Sequence, residues 1–151
     1  PMKVVAGPFL DEKKWRSLRA ESRGRRGLTL RRSVPDLGVA LHSASASVSQ
    51  CGYNTALDIL RAGVPALVVP FAEGEEDEQE QRAHHLQRLG AVRVLDSEAL
   101  DPSTLAEEIG TLLRFRPRRV SLDLQGGAKS ARILAEMNER RSGRLGLQGR
   151  R

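Results

Sequence analysis

Aromatic residues are nearly missing from this chain: Phe9, Trp15, Tyr53, Phe71 and Phe115 are the whole set, 3% of 151 residues. So few rings offer no stacking platform for single-stranded nucleic acid, and the core must be assembled from Val, Leu, Ile and Ala. Cys51 is the single cysteine. It excludes an internal disulfide framework and a cysteine-based zinc cluster, and fits a reducing cytoplasm. Histidine is limited to His42, His84 and His85. Adjacent histidines on a helix face different ways, so His84 and His85 read as structural or surface groups and His42 as packing. No metal site and no cofactor are expected. No apolar run reaches the ~20 residues a membrane helix needs, and no signal-peptide pattern opens the chain. Neither GxxxxGK[ST] nor GxGxxG occurs, so the two best-known glycine-rich phosphate loops are absent.

Arginine, by contrast, is plentiful, and its layout is uneven. The net charge is +6. Residues 1–35 hold ten Lys/Arg against three acids, residues 114–151 hold eleven against three, and an acidic run occupies Glu73 to Glu80. Basic ends suit nucleic acid, an anionic membrane surface or a phosphate-bearing ligand. The plain alternative is a solvated, arginine-rich surface. A solvated helix start is likewise the plain reading of Glu73, Glu75, Glu76, Asp77 and Glu80.

Strand-like and helix-like segments alternate along the chain. The predicted strands are Lys3–Ala6, Leu28–Ser33, Ala46–Ser49, the apolar run Ala66–Val69 between Pro65 and Pro70, and Val92–Leu95. A continuous apolar run of that length suits a strand buried on both faces. The predicted helices are Asp11–Arg23, Pro35 to His42, Asn54–Ala62 with Gly63 as its stop, Glu76–Leu89 with Gly90 as its stop, Asp101 to Leu113, and Ala128–Arg141. Pro35 is placed at an early helical position. Phe115–Val120 reads as a surface linker and Ser142–Arg151 as a frayed tail. Strands separated by helices imply right-handed crossovers and a mostly parallel, Rossmann-like α/β sheet with helices on both faces. The expected division is 1–114 as a ligand-binding domain and 115–151 as a basic linker and C-terminal helix.

In such sheets, ligands sit where strand C-termini meet helix N-termini. The best such junction is Ser47-Val48-Ser49-Gln50-Cys51-Gly52-Tyr53-Asn54-Thr55. Small residues allow close backbone approach, and the helix beyond Gly52 offers free N–H groups and a positive dipole end to an anion. An ordinary N-cap at Asn54 or Thr55 explains the same residues. Asp58 lies one helical turn further along that face. Its carboxylate could accept two hydrogen bonds from a vicinal diol such as a ribose, or be a solvated acid early in a helix. Cys51 reads as a small residue beside the turn rather than a nucleophile, since no base is placed next to it in sequence.

The ordered set Cys51-Gly52-Tyr53-Asn54-Thr55, Asp58, Ala62-Gly63-Val64-Pro65-Ala66, Glu78-Gln79, Arg82-Ala83 and Gly90 resembles the C-terminal, donor-binding half of GT-B glycosyltransferases. The likeness is to the group containing the peptidoglycan N-acetylglucosaminyltransferase, and to bacterial glycosyltransferase-like proteins with a Gly-Tyr-Asn-Thr signature. It covers Ser47–Leu113 strongly and most of the rest loosely.

What the resemblance implies is specific. The Gly52–Thr55 turn (Gly52, Tyr53, Asn54, Thr55) would hold the diphosphate of a nucleotide-diphosphate sugar, with a UDP-sugar favoured. Asp58 would bond the ribose, where the resembled enzyme has Glu. Val34 matches the loop whose backbone reads the base, and Glu78, Gln79 and Arg82 match the segment touching the sugar. Asp for Glu shortens the ribose contact by one methylene, and Gln50-Cys51 replaces smaller residues. GT-B enzymes work between two similar domains, so the chain reads as a fragment whose first strand and N-terminal partner domain lie outside it. No catalytic base is assigned within it. The expected partners are the donor, that N-terminal domain and an acceptor at a membrane surface, with a cytoplasmic location peripheral to the inner membrane and no nucleic acid. The alternatives are a nucleotide-sugar 2-epimerase of the same fold, or a basic nucleic-acid-binding module.

Overall fold

A computed structural model describes residues 1–71, 77–121 and 126–148, with side chains described as far as Asn138. The elements run β1 (Met2–Val5), α1 (Glu12–Ser22), β2 (Leu28–Arg31), α2 (Leu37–His42), β3 (Ser47–Ser49), α3 (Tyr53–Ala62), β4 (Ala66–Val68), α4 (Glu78–Arg88), β5 (Arg93–Val94), α5 (Pro102–Leu112) and α6 (Gly126–Gln148), with a single 3-10 turn at Ser97–Ala99. Every strand pair is parallel, as the alternation of strands and helices predicts. The strands form two separate ladders, β1-β2 and β3-β4-β5, rather than one sheet. The chain divides into two compact units, Pro1–Arg119 and Val120–Arg151.

The core of the first unit centres on β4. Ala66, Leu67 and Val68 are all fully buried, as an apolar run without alternation predicts for a strand covered on both faces. Leu67 and Val68 each contribute about 1.5–3 kcal/mol by leaving water. Leu67, Leu95 and Leu112 pack together, with Ala46, Val69, Leu105 and Phe115 against them. Ala56 and Ile59 of α3 and Ala83 and Leu86 of α4 are buried as well.

Local chemistry explains most boundaries. Asp11, Asp36 and Asp101 cap α1, α2 and α5 through their side chains, each accepting a backbone N–H of the first turn. Gly63 closes α3 at φ 64°, and its N–H bonds the Ile59 carbonyl at 2.9 Å. That left-handed conformation is what glycine permits without a Cβ penalty.

Several expectations are corrected. Pro35 lies outside α2, because Asp36 is the residue that caps it. His42 is exposed rather than packed. Phe115–Val120 is not a bare surface linker: Phe115 packs on the core cluster, and the Arg118 N–H donates to the Gly90 carbonyl at 2.9 Å. The ring gains by burial against the Leu-rich cluster, while Arg114, Arg116, Arg118 and Arg119 stay exposed. Helix α6 begins two residues earlier than expected and continues through residues 142–148, which the sequence reads as frayed. Arg, Leu and Gln there are good helix formers, and they offset the ~1 kcal/mol disadvantage of each glycine. Glu73, Glu75 and Glu76 lie outside the described residues.

Candidate functional site at the β3–α3 turn

Because β3, β4 and β5 are parallel, their C-terminal ends share one edge. Strand β3 leaves that edge through Gln50-Cys51-Gly52 into α3, and β4 leaves it through Val69-Pro70-Phe71 toward α4. Cys51 is fully buried and roots the turn in the core. Burial pushes its thiol up from the ordinary 9.0, partly offset by the positive charge of Arg82. A thiol held protonated is a poor nucleophile, which agrees with its reading as a packing residue.

The N-cap of α3 is Gly52, with no side-chain cap hydrogen bond. The sequence allows a cap at Asn54 or Thr55; instead both lie inside the helix. The first rung of the ladder is the Ala56 N–H to the Gly52 carbonyl at 2.9 Å. The N–H groups of Tyr53, Asn54 and Thr55 therefore precede the ladder, and Gly52 has no side chain to cap them. Such a terminus carries about half a positive charge. A Cβ built on Gly52 would meet no described atom within 4 Å.

Asp58 stands one turn along, with its side chain 27% exposed and Oδ1 3.9 Å from Arg61. The structure adds a neighbour that sequence spacing misses. A Cβ built on Gly38 would lie 3.9 Å from Asp58 Oδ1 and 3.3 Å from Asp36 Oδ1. Helix α2 thus brings its first turn against the Asp58 carboxylate, and a larger residue at 38 would crowd it. A glycine inside a six-residue helix is the signal that could have found this approach. Val34, half-buried, lies on the loop that leads into the same turn of α2.

The α4 residues reach the turn from the other side. Gln79 Oε1 accepts the Phe71 N–H at 3.3 Å, leaving its amide N–H groups to donate elsewhere. Glu78 is exposed, with Oε2 3.6 Å from Arg82. Arg82 donates from Nη1 to the Cys51 carbonyl at 2.8 Å, and its guanidinium lies 5.8 Å from the centre of the exposed Tyr53 ring. Gly52, Tyr53, Asn54, Thr55 and Arg82 therefore converge on one turn. Asp58 and Val34 flank it through α2, and Glu78 and Gln79 through α4. Among the described residues, no helix is long and apolar enough to cross a membrane.

The chain is similar to known proteins. The chain is 32% identical, over 68% of its length, to the UDP-N-acetylglucosamine–N-acetylmuramyl-(pentapeptide) pyrophosphoryl-undecaprenol N-acetylglucosamine transferase of Methylococcus capsulatus, and covers 27% of that protein. It thus spans about a quarter of the length of such relatives. Among solved structures, glycosyltransferase VinC, crystallised in complex with DTDP, is 26% identical with a TM-score of 0.56, matched over 65% of this chain and 24% of that one. The MurG structure from Acinetobacter baumannii is 21% identical with a TM-score of 0.60, matched over 77% of this chain and 34% of that one, and shows the shared fold. The family model for the glycosyltransferase family 28 C-terminal domain matches residues 31–137, a span that takes in both the α2 loop and the α3 turn. A match across most of the chain, running through both flanks of the candidate site, is membership: the chain belongs to the glycosyltransferase family 28 C-terminal domain family.

Proposed function

We propose that this chain is the nucleotide-sugar-binding domain of a glycosyltransferase, taking a UDP-sugar as donor. The observation that carries the reading is the uncapped N-terminus of α3, with Asp58 one turn beyond it. The diphosphate would accept hydrogen bonds from the N–H groups of Gly52, Tyr53, Asn54 and Thr55, where the helix dipole favours negative charge. The Asp58 carboxylate would accept both ribose hydroxyls, and the backbone at Val34 would meet the edge of the base. Glu78 and the free amide of Gln79 would bond the sugar hydroxyls.

The chemistry that follows is displacement at the anomeric carbon. Its leaving diphosphate gains charge as the bond breaks, and preorganised N–H donors stabilise that charge without having to reorient. The acceptor site and the catalytic base would come from a partner domain of the same protein, as the quarter-length coverage of the relatives supports. A pyrophosphoryl-undecaprenol substrate in the relative's name supports a lipid-linked acceptor and a cytoplasmic domain peripheral to the inner membrane. Family membership supports transfer over epimerisation or nucleic-acid binding.

The test is titration of the chain with uridine diphosphate while following backbone amide resonances. Shifts concentrated in residues 50–58, with smaller ones near Val34, support the proposal. Shifts scattered over the arginine-rich ends would sink it.

A further inference from the structure

The turn that begins α3 has no side-chain cap of its own at Gly52. Gly52 carries no side chain, so it makes no side-chain cap bond, and a Cβ there would meet no described atom within 4 Å. Cys51 anchors the preceding Cα by burial, but burial of a side chain leaves the rotation of the next peptide unit free. A hydrogen bond to the Cys51 carbonyl from outside the turn would set it.

Arg82 is placed to do so. Its side chain is only 25% exposed. Nη1 donates to the Cys51 carbonyl at 2.8 Å across a sequence separation of 31 residues. Nη2 lies 3.6 Å from Glu78, and the guanidinium plane sits by the Tyr53 ring. The Cys51 carbonyl and the Gly52 N–H belong to one planar trans peptide and point in opposite directions. Fixing the oxygen therefore fixes the direction of the N–H. A charge-assisted bond to the carbonyl also polarises that N–H and makes it a better donor.

We propose that Arg82 is a positioning residue that ties α4 to the α3 turn and sets its affinity for the diphosphate of the donor, rather than a residue that touches the sugar. The proposal rests on the α3 turn being the diphosphate site. Lysine would not substitute: a single ammonium keeps the charge but cannot hold a carbonyl, a carboxylate and a ring face in one planar geometry.

The full 151-residue chain, as wild type, Arg82→Ala and Arg82→Lys, decides the matter by calorimetry with uridine diphosphate and with UDP-N-acetylglucosamine. Arg82→Ala should weaken both ligands by the same factor, about tenfold, and Arg82→Lys should recover little of it. A loss confined to the sugar-bearing ligand would overturn the proposal in favour of a sugar contact. Full recovery by lysine would overturn it in favour of simple charge. A ligand-free readout separates this proposal from the function itself. In both variants the amides of residues 51–54 should shift and gain fast backbone mobility, while those of Glu12–Trp15 stay unchanged. Unmoved amides at 51–54 would refute the positioning role, even in a chain that binds nucleotide. If the wild-type chain bound neither ligand, the proposed function would fall, and the amide comparison would still decide what Arg82 does.

Discussion

Two strand-to-helix junctions in this molecule are built from the same parts and finished differently. At the β1–α1 junction, Arg32 donates to the Leu10 carbonyl at 2.8 Å, pairs with Glu12 at 2.7 Å and lies 5.6 Å from the Trp15 ring centre. At the β3–α3 junction, Arg82 donates to the Cys51 carbonyl, faces Glu78 and lies over Tyr53. Each arginine thus braces a turn through a carbonyl, a carboxylate and a ring. The helix ends differ. Asp11 closes α1 by accepting the Lys14 N–H at 2.9 Å, whereas α3 begins at a glycine with no cap bond. The first helix carries a side-chain cap and the second does not, and it is at the second that the proposed function places an anion.

The largest expected effect comes from giving α3 the cap that α1 has. Gly52 has φ −60° and ψ 151°, an ordinary extended conformation that any residue adopts, with room for a Cβ. Gly52→Asp should leave the melting temperature unchanged or slightly raised, since Asp caps better than Gly by only a few tenths of a kcal/mol. Uridine diphosphate affinity should drop by about 100-fold or more, because the new carboxylate occupies the N–H groups and repels the ligand. Calorimetry and a thermal melt on the same sample check both halves, and unchanged affinity would remove the α3 terminus as the site.

Next comes Asp58→Ala, which should weaken nucleotide binding by roughly one to two orders of magnitude through loss of two charge-assisted hydrogen bonds. The control is 2′-deoxyuridine diphosphate. It should bind the wild type more weakly and lose little further in the variant; equal losses for both ligands would show that Asp58 does not read the ribose.

Asp11→Ala strips the cap from the other junction. It should cost about 1 kcal/mol, which lowers the melting temperature by roughly 3–6 °C, and leave nucleotide affinity within about twofold of wild type. A matching loss of affinity would mean that the two junctions are not independent.

The smallest effect is with acid. Hydroxyl hydrogen bonds from Ser103 and Thr104, with the backbone N–H groups of the same residues, hold the Asp101 carboxyl well below its ordinary 3.8. A group whose native pKa is depressed contributes stability that is present above the unfolded value and lost as pH falls through the native one. The start of α5 should therefore loosen as pH drops below about 4, read from the amides of Ser103 and Thr104. Helix α3 has no carboxylate cap to lose in that range.

Much of the fold was legible because its determinants are local. Strand β4 follows from an apolar run between prolines, the stop of α3 from Gly63, and the starts of α1 and α5 from Asp11 and Asp101. The candidate turn was legible for the same reason, as small residues and glycine between a strand and a helix. The cap of α3 was not, because Asn54 and Thr55 are good cap residues by type and only the course of the backbone shows that Gly52 takes the position. The environment of Asp58 was half legible: its place one turn inside α3 follows from spacing, but the approach of Gly38 does not.

The chain by itself determined the alternation of strands and helices, the residues of the α3 turn and the carboxylate one turn beyond it. Each of these depends on neighbours within about four positions, the reach of helical and turn geometry. Tertiary structure alone decided that the strands split into two ladders, that α2 closes on Asp58, and that Arg82 is spent on a carbonyl 31 residues away. Those outcomes turn on which crossover packs beside which, and a guanidinium takes whatever acceptor the packing brings within reach.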